Sequence, residues 1–175
     1  MTMIEKHQTV ADYAFNLHAQ RGQLYGDQPY SVHLLQAYEI LLPLFGDNDT
    51  VMLSILCHDL LEDTGITYND LAKVTGYFVA DVVYDVTNEL GKNRRERAER
   101  TYPKIAANPL AIIVKVADRL ANTRHSRQSG SSMYQKYRAE YRHFKDALFT
   151  GVNQESWRVY PKIYDLWALL DAENA

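Results

Sequence analysis

The sequence predicts an all-α protein, and three observations carry that prediction. Apolar residues recur at spacings of three and four along almost the whole chain. Helix start and stop signals bracket those runs, among them Asn108-Pro109 and the Thr67…Asp70 pair. Gly and Pro, at 8 and 5, are too few for a loop-rich β-sandwich. With 175 residues, 46% apolar and 23% charged, the chain reads as one soluble domain, 1–175, built from about eight helices.

The elements follow in order. Val10, Ala14, Leu17 and Arg21 keep the 3.6 period in a first helix, and 22–28 reads as a loop closed by Pro29. Leu34, Leu35, Tyr38 and Leu42 define a second helix that stops near Pro43 and Gly46. Asp47-Asn48-Asp49 offers N-caps for a third, which runs through Glu62 and ends at Gly65. Thr67 with Asp70 starts a short helix in capping-box style. Phe78, Val79, Val82, Val83, Val86 and Leu90 form an apolar stripe that Gly91 ends. Asn108 and Pro109 open a long helix through Asp118 and Asn122; its β-branched run, 112–116, has no turn signal to make it a strand. Tyr134, Tyr137, Tyr141, Phe144 and Leu148 mark the next helix. Trp157, Tyr160, Tyr164 and Trp167 mark a C-terminal one at about 155–172, kinked or started late by Pro161.

Composition excludes several functions. A formal charge of −3 argues against bulk nucleic-acid binding. The longest apolar run, Leu110 to Val114, falls far short of the roughly 20 residues a membrane span needs. The first residues carry no signal core, so a cytoplasmic protein with no membrane partner is expected. Cys57 is the single cysteine, so any metal must be held by His, Asp or Glu. Walker, dinucleotide-binding and nucleophile-elbow motifs are missing, which leaves a serine or cysteine nucleophile unsupported.

The informative stretch is His58-Asp59-Leu60-Leu61-Glu62-Asp63. On a continuous helix, Glu62 lies four residues from His58 and Asp63 four from Asp59, so an imidazole and three carboxylates crowd one turn. At a helix C-terminus these charges oppose the dipole, which favours a cation among them over a merely solvated end. His33 and Asp118 are the candidates to complete such a site; Asp118 follows an apolar run and needs a partner if buried. Two imidazoles and two carboxylates suit Mn, Fe, Zn or Mg. A lone His33 at a helix start would otherwise be an ordinary packing residue.

The order His33, His58-Asp59, Asp118 resembles the HD-domain metal-dependent phosphohydrolases. It is most similar to the hydrolase module of the Rel/Spo alarmone enzymes and their stand-alone relatives, the small alarmone hydrolases. Ala14-x-x-x-His18, Gln23, Pro29-Tyr30-x-x-His33, His58-Asp59-x-x-Glu62-Asp63-Thr64, Thr87 and Val114-Lys115-x-Ala117-Asp118-Arg119-Leu120-x-Asn122 carry the likeness over about 10–148. The resemblance implies a helical bundle with one divalent metal, commonly Mn²⁺, on His33, His58, Asp59 and Asp118. It implies removal of the 3′-pyrophosphate from guanosine tetra- or pentaphosphate, with Glu62 and Asp63 as the catalytic acidic pair and Asn122 on the nucleotide. The family usually has an Arg-Lys pair shortly after the glutamine; here Leu24-Tyr25-Gly26-Asp27-Gln28 stands in its place. Tyr25 is then a candidate to stack on a base and Arg21 to supply charge. Another purine alarmone, a different nucleotide phosphate or a non-catalytic nucleotide sensor are the alternatives.

The segment 92–100 is the most basic. It reads either as a solvent-exposed helix with pairs such as Glu96 and Arg100, or as Lys92 and Arg94 gripping phosphates. Arg124 and Tyr141 are further pocket candidates, although Tyr141 also belongs to an apolar stripe. His18 reads as a packing residue or a support for a ligand, His125 and His143 as surface residues, and Cys57 as a small buried one.

Overall fold

A computed structural model describes residues 2–149 and 154–175. The chain forms two compact units, Met1–Thr87 and Asn88–Ala175. The regular structure of the described residues is helical apart from one tiny ribbon, so the predicted all-α class holds.

In the first unit, α1 (Met3–Gln20) starts at a full capping box between Thr2 and Glu5. The segment expected to be a plain loop instead pairs β1 (Leu24–Tyr25) with β2 (Gln28–Pro29), Tyr25 opposite Gln28. Gly26 makes this possible: its φ of 66° is the left-handed conformation that a two-residue hairpin turn needs. α2 (Ser31–Phe45) runs past Pro43 and ends at Gly46, not at the proline. Pro43 removes only the bond to the carbonyl of Glu39, an exposed residue whose carbonyl water can reach.

The larger correction concerns the third helix. It does not run unbroken to Glu62: α3 (Asp49–Cys57) ends with His58 as its C-cap, and a separate single turn, α4 (Leu60–Asp63), starts from Asp59 at φ −99°, ψ −2°. Every residue from Val51 to Cys57 is buried. α1, α2 and α6 (Tyr77–Val86) all pack on α3, which makes it the centre of the unit. The helix stops where buried His58 and half-buried Asp59 follow it. Burial pushes the Cys57 thiol up to about 12, so it is an inert packing group.

α5 (Tyr68–Thr75) begins with the anticipated Thr67–Asp70 capping box. In α6 the stripe is narrower than the sequence suggested. Val79, Val82, Val83 and Val86 are buried, but Phe78 is 83% exposed, and Leu90, beyond the helix end, is 87% exposed.

The second unit is organised on α8 (Pro109–Gln128), against which α7 (Arg94–Ala106), α9 (Met133–Phe149) and α11 (Ile163–Asn174) pack. The Asn108 side chain accepts from the amides of Leu110 and Ala111, and Pro109 occupies the first turn, as the sequence signals. The β-branched run is helical because it is covered: Ala111 to Val114, then Val116 to Ala121, are all buried. Pro161 separates α10 (Gln154–Val159) from α11, which is the late start. Phe144 of α9 meets Trp167 of α11 with ring centroids 5.8 Å apart. These splits give eleven helical segments among the described residues, where about eight were expected.

Leu53 is fully buried at the centre of the first unit. Leu53→Ala should cost about 2–5 kcal/mol through lost transfer energy and the cavity left behind, measured by urea denaturation.

Candidate functional site

In the first unit, three of the expected ligands converge. His33 lies one turn into α2 and is buried; His58 caps α3 and is buried; Asp59 opens α4. The Nε2 atoms of the two imidazoles are 3.1 Å apart. Asp59 Oδ2 lies 3.0 Å from His58 Nε2 and 3.6 Å from His33 Nε2. His58 Nδ1 donates to the Ile55 carbonyl at 2.7 Å, which puts the proton on Nδ1 and directs the Nε2 lone pair at the carboxylate. The three ligand atoms lie within 3.6 Å of one another. The donor set therefore fits a divalent cation held by nitrogen and oxygen ligands.

Aromatic rings wall this cluster. Tyr25 is 9% exposed and its ring is tilted over His33 at 4.8 Å between centroids. The Tyr30 hydroxyl donates to Asp59, and its ring lies 4.4 Å from that of His18. Thus Tyr25, singled out for stacking on a base, packs on a histidine.

The acidic pair is arranged differently from the expectation. Glu62 and Asp63 do not end a long helix; they lie in the first turn of α4, so the dipole argument made for them falls with the helix break. Both are exposed. The Asp63 carboxylate accepts from Gln23 Nε2 at 2.6 Å. Its pKa is raised above the usual carboxylate range, first by loss of water around it and then by Asp59 and Glu62, while the Gln23 hydrogen bond and His18 act the other way. Arg21 donates from Nε to the Thr64 carbonyl at 2.8 Å, clamping the end of α1 to the end of α4.

In the second unit, Asp118 is buried on α8. Its Oδ2 pairs with Lys115 Nζ at 2.9 Å, and its Oδ1 accepts from Asn122 Nδ2 at 2.5 Å. These residues lie three and four positions either side, so one face of α8 carries the carboxylate with a cation and an amide. The other polar candidates are engaged locally. Arg94 makes a two-pronged bond to Glu140 at 2.9 and 2.8 Å. Arg124 donates to Glu173 at 2.9 Å, which Arg127 also contacts at 3.1 Å. The Tyr141 hydroxyl donates to Asp171. Lys92 is exposed just before α7, and Glu96 pairs with Arg100 as the helical spacing suggests. His143 is exposed as expected, whereas His125 is half-buried.

Sequence reasoning missed two networks. His7 is buried and bridges the Tyr38 hydroxyl at 2.8 Å and Asp49 at 3.1 Å. Arg119 is buried over the Tyr137 ring at 4.4 Å and reaches Glu140 at 3.2 Å. Nothing in the local pattern announces either; the one available hint is that Arg119 interrupts an otherwise apolar stretch of α8.

The fold and the histidine–aspartate cluster together define a class. The HD domain family matches residues 11–144, and the chain belongs to that family. Among curated proteins, a guanosine-3′,5′-bis(diphosphate) 3′-pyrophosphohydrolase of Aquifex aeolicus is 34% identical over 126 residues, covering 69% of this chain and 18% of that protein. A GTP pyrophosphokinase of Streptomyces antibioticus is 30% identical over 190 aligned positions, covering 100% of this chain and 22% of that protein. The chain thus spans about a fifth of the length of these relatives. A solved structure of a metazoan ortholog of SpoT, described as hydrolysing ppGpp and playing a role in starvation responses, superposes with a TM-score of 0.66. It shares 24% identity and covers 87% of this chain and 94% of its own, which establishes a shared fold. Among the described residues no helix is long and apolar enough to cross a membrane.

The Arg94 bond and the nearby Arg119 hold the Glu140 carboxyl below its usual range, the Arg94 bond most. A depressed folded value means the cluster stabilises the protein fully above the ordinary glutamate value of 4.5. That contribution is lost as pH falls from there through the lower value. Thermal melts between pH 6 and 3 should therefore show a steeper loss for the wild type than for Glu140→Gln.

Proposed function

We propose that this chain is a metal-dependent hydrolase that removes the 3′-pyrophosphate from guanosine tetra- or pentaphosphate, or from a related purine alarmone. The observation that carries the reading is the pairing of a nitrogen–oxygen donor cluster with an acidic pair one helical turn away. His33, His58 and Asp59 supply the first; Glu62 and Asp63 supply the second. The curated relatives named for ppGpp pyrophosphohydrolysis, and the neighbour described as hydrolysing ppGpp, support the choice of substrate.

In this reading the whole chain works as one HD domain, as a family match running from 11 to 144 supports. His33, His58, Asp59 and Asp118 hold one divalent cation, with Mn²⁺ our choice. The chemistry of the donors supports it: two imidazoles, and two carboxylates buried or half-buried. When bound, such a cation supplies positive charge that acidifies a nearby water and polarises a phosphate oxygen. The chain's own part is proton transfer and orientation. Asp63 and Glu62 take the proton from the attacking water and return one to the leaving group.

Asn122, Lys92, Arg94, Arg124, Arg21, Tyr25 and Tyr141 are our candidates for nucleotide contacts. Arg94 and Arg124 would have to share their guanidinium groups between substrate phosphates and the carboxylates they already hold. We place the reaction in the cytoplasm, a reading that a chain whose described helices are all too short or too polar to cross a membrane supports.

One observation favours a second reading. The hairpin after Gln23 carries no cation, so the guanosine phosphates lose contacts there, and another nucleotide phosphate becomes the alternative substrate.

Incubation with Mn²⁺ and a nucleotide panel, with products separated by chromatography, tests the proposal. GDP and pyrophosphate from guanosine tetraphosphate are expected; orthophosphate alone, or turnover of a different nucleotide only, would overturn the substrate. Asp59→Ala should abolish Mn²⁺ binding, measured by calorimetry, together with activity. Glu62→Gln should keep the metal and lower kcat by about 10²–10⁴-fold.

A further inference from the structure

We infer that Gln23, oriented by the buried imidazole of His18, is the positioning residue for the Asp63 carboxylate. The inference rests on the reading of Asp63 as a proton carrier given above.

His18 is 1% exposed in the last turn of α1, and its Nδ1 lies 2.6 Å from Gln23 Oε1. An amide oxygen only accepts, so the imidazole must carry its proton on Nδ1. That choice fixes which way the amide faces, and its NH2 group is turned to Asp63 Oδ2 at 2.6 Å. The flipped amide would put oxygen against the carboxylate and NH2 against the Nδ1 proton, two repulsions in place of two bonds. His18 Nε2 is buried with no hydrogen-bond partner among the described residues. A proton there would leave a buried cation uncompensated, so the ring is held neutral, and its pKa is lowered, first by burial.

The backbone reinforces the arrangement. Gln23 N donates to the His18 carbonyl at 3.2 Å, and Gly22, at φ 64°, closes the turn between them. The same imidazole lies against Tyr30, whose hydroxyl holds Asp59. A single neutral ring therefore braces Asp59 through an aromatic neighbour and Asp63 through an amide. The short helix that carries Asp63 has four residues and little rigidity of its own, so the carboxylate depends on a tether from the turn that follows α1.

The test is a double-mutant cycle on the full chain with saturating Mn²⁺ and guanosine tetraphosphate: wild type, Gln23→Leu, Asp63→Asn and the double variant. Gln23→Leu should lower kcat by about 10- to 100-fold, the scale of a misplaced reacting group, with KM and the Mn²⁺ dissociation constant little changed. In the Asp63→Asn background the same change should have no further effect, because Gln23 acts through that carboxylate. Wild-type kcat in Gln23→Leu, or an equal loss in both backgrounds, would overturn the inference.

If the wild type turns over no alarmone, the functional reading fails by itself, and ring ¹⁵N shifts of His18 then decide this one. An Nδ1-protonated ring in the wild type that changes tautomer in Gln23→Leu supports the orientation; the same tautomer in both overturns it. Should Gln23→Leu not fold, Gln23→Glu is read in its place. It removes the donor to Asp63, keeps an acceptor for His18, and is expected to show the same loss of kcat with the Nδ1 proton retained.

Discussion

The hydrogen bond from His58 Nδ1 to the Ile55 carbonyl is a small interaction on which the rest of the first unit's chemistry depends. It decides which ring nitrogen carries the proton, and so which one is presented to Asp59 and His33. It lies where α3 ends and Asp59 turns the chain into α4. Seven consecutive buried residues of α3 hold the imidazole still, so the ring is placed by packing and its tautomer by one carbonyl. The resulting crowd of acceptor atoms is unfavourable by itself. The fold's hydrophobic contacts impose it, as is usual where a protein builds a site for a cation.

The second unit manages charge by a different route. α8 is covered on nearly all sides, yet it carries Asp118, Arg119 and Asn122 along its buried length. Each has a stated partner: Lys115 and Asn122 on the carboxylate, Glu140 and the Tyr137 ring on the guanidinium. Glu140 joins Arg94 of α7 to Arg119 of α8, so one carboxylate on α9 ties three helices together. Arg94, read from the sequence either as part of an exposed helix or as a phosphate-gripping cation, thus serves the architecture.

Much of this was legible in the residues, for definable reasons. Caps are local chemistry, which is why Thr67, Asn108 and Pro109 placed their helices correctly. His33, His58 and Asp59 could be grouped because their types and order point to one kind of coordination. The break after Cys57 was not legible, because apolar periodicity continues through Leu60 and Leu61 and only the polar demands of His58 and Asp59 interrupt it. The hairpin at 24–29 escaped for lack of length, since two residues per strand show no alternation. Engagements such as Arg94 with Glu140 and Tyr141 with Asp171 join residues 46 and 30 positions apart, beyond the reach of any local pattern. The Gln23–Asp63 bond spans 40; both residues stood out in the sequence, but nothing in the local pattern joins them.

The division of labour between α3 and α4 has a dynamic consequence. His58 belongs to the end of a deeply sheathed helix, whereas Glu62 and Asp63 ride on one exposed turn. Local opening of that turn uncovers Leu60 but leaves the rest of the core in place, so it needs less free energy than global unfolding. Under the proposed mechanism, mild denaturant would then separate loss of turnover from loss of the ion along the unfolding coordinate.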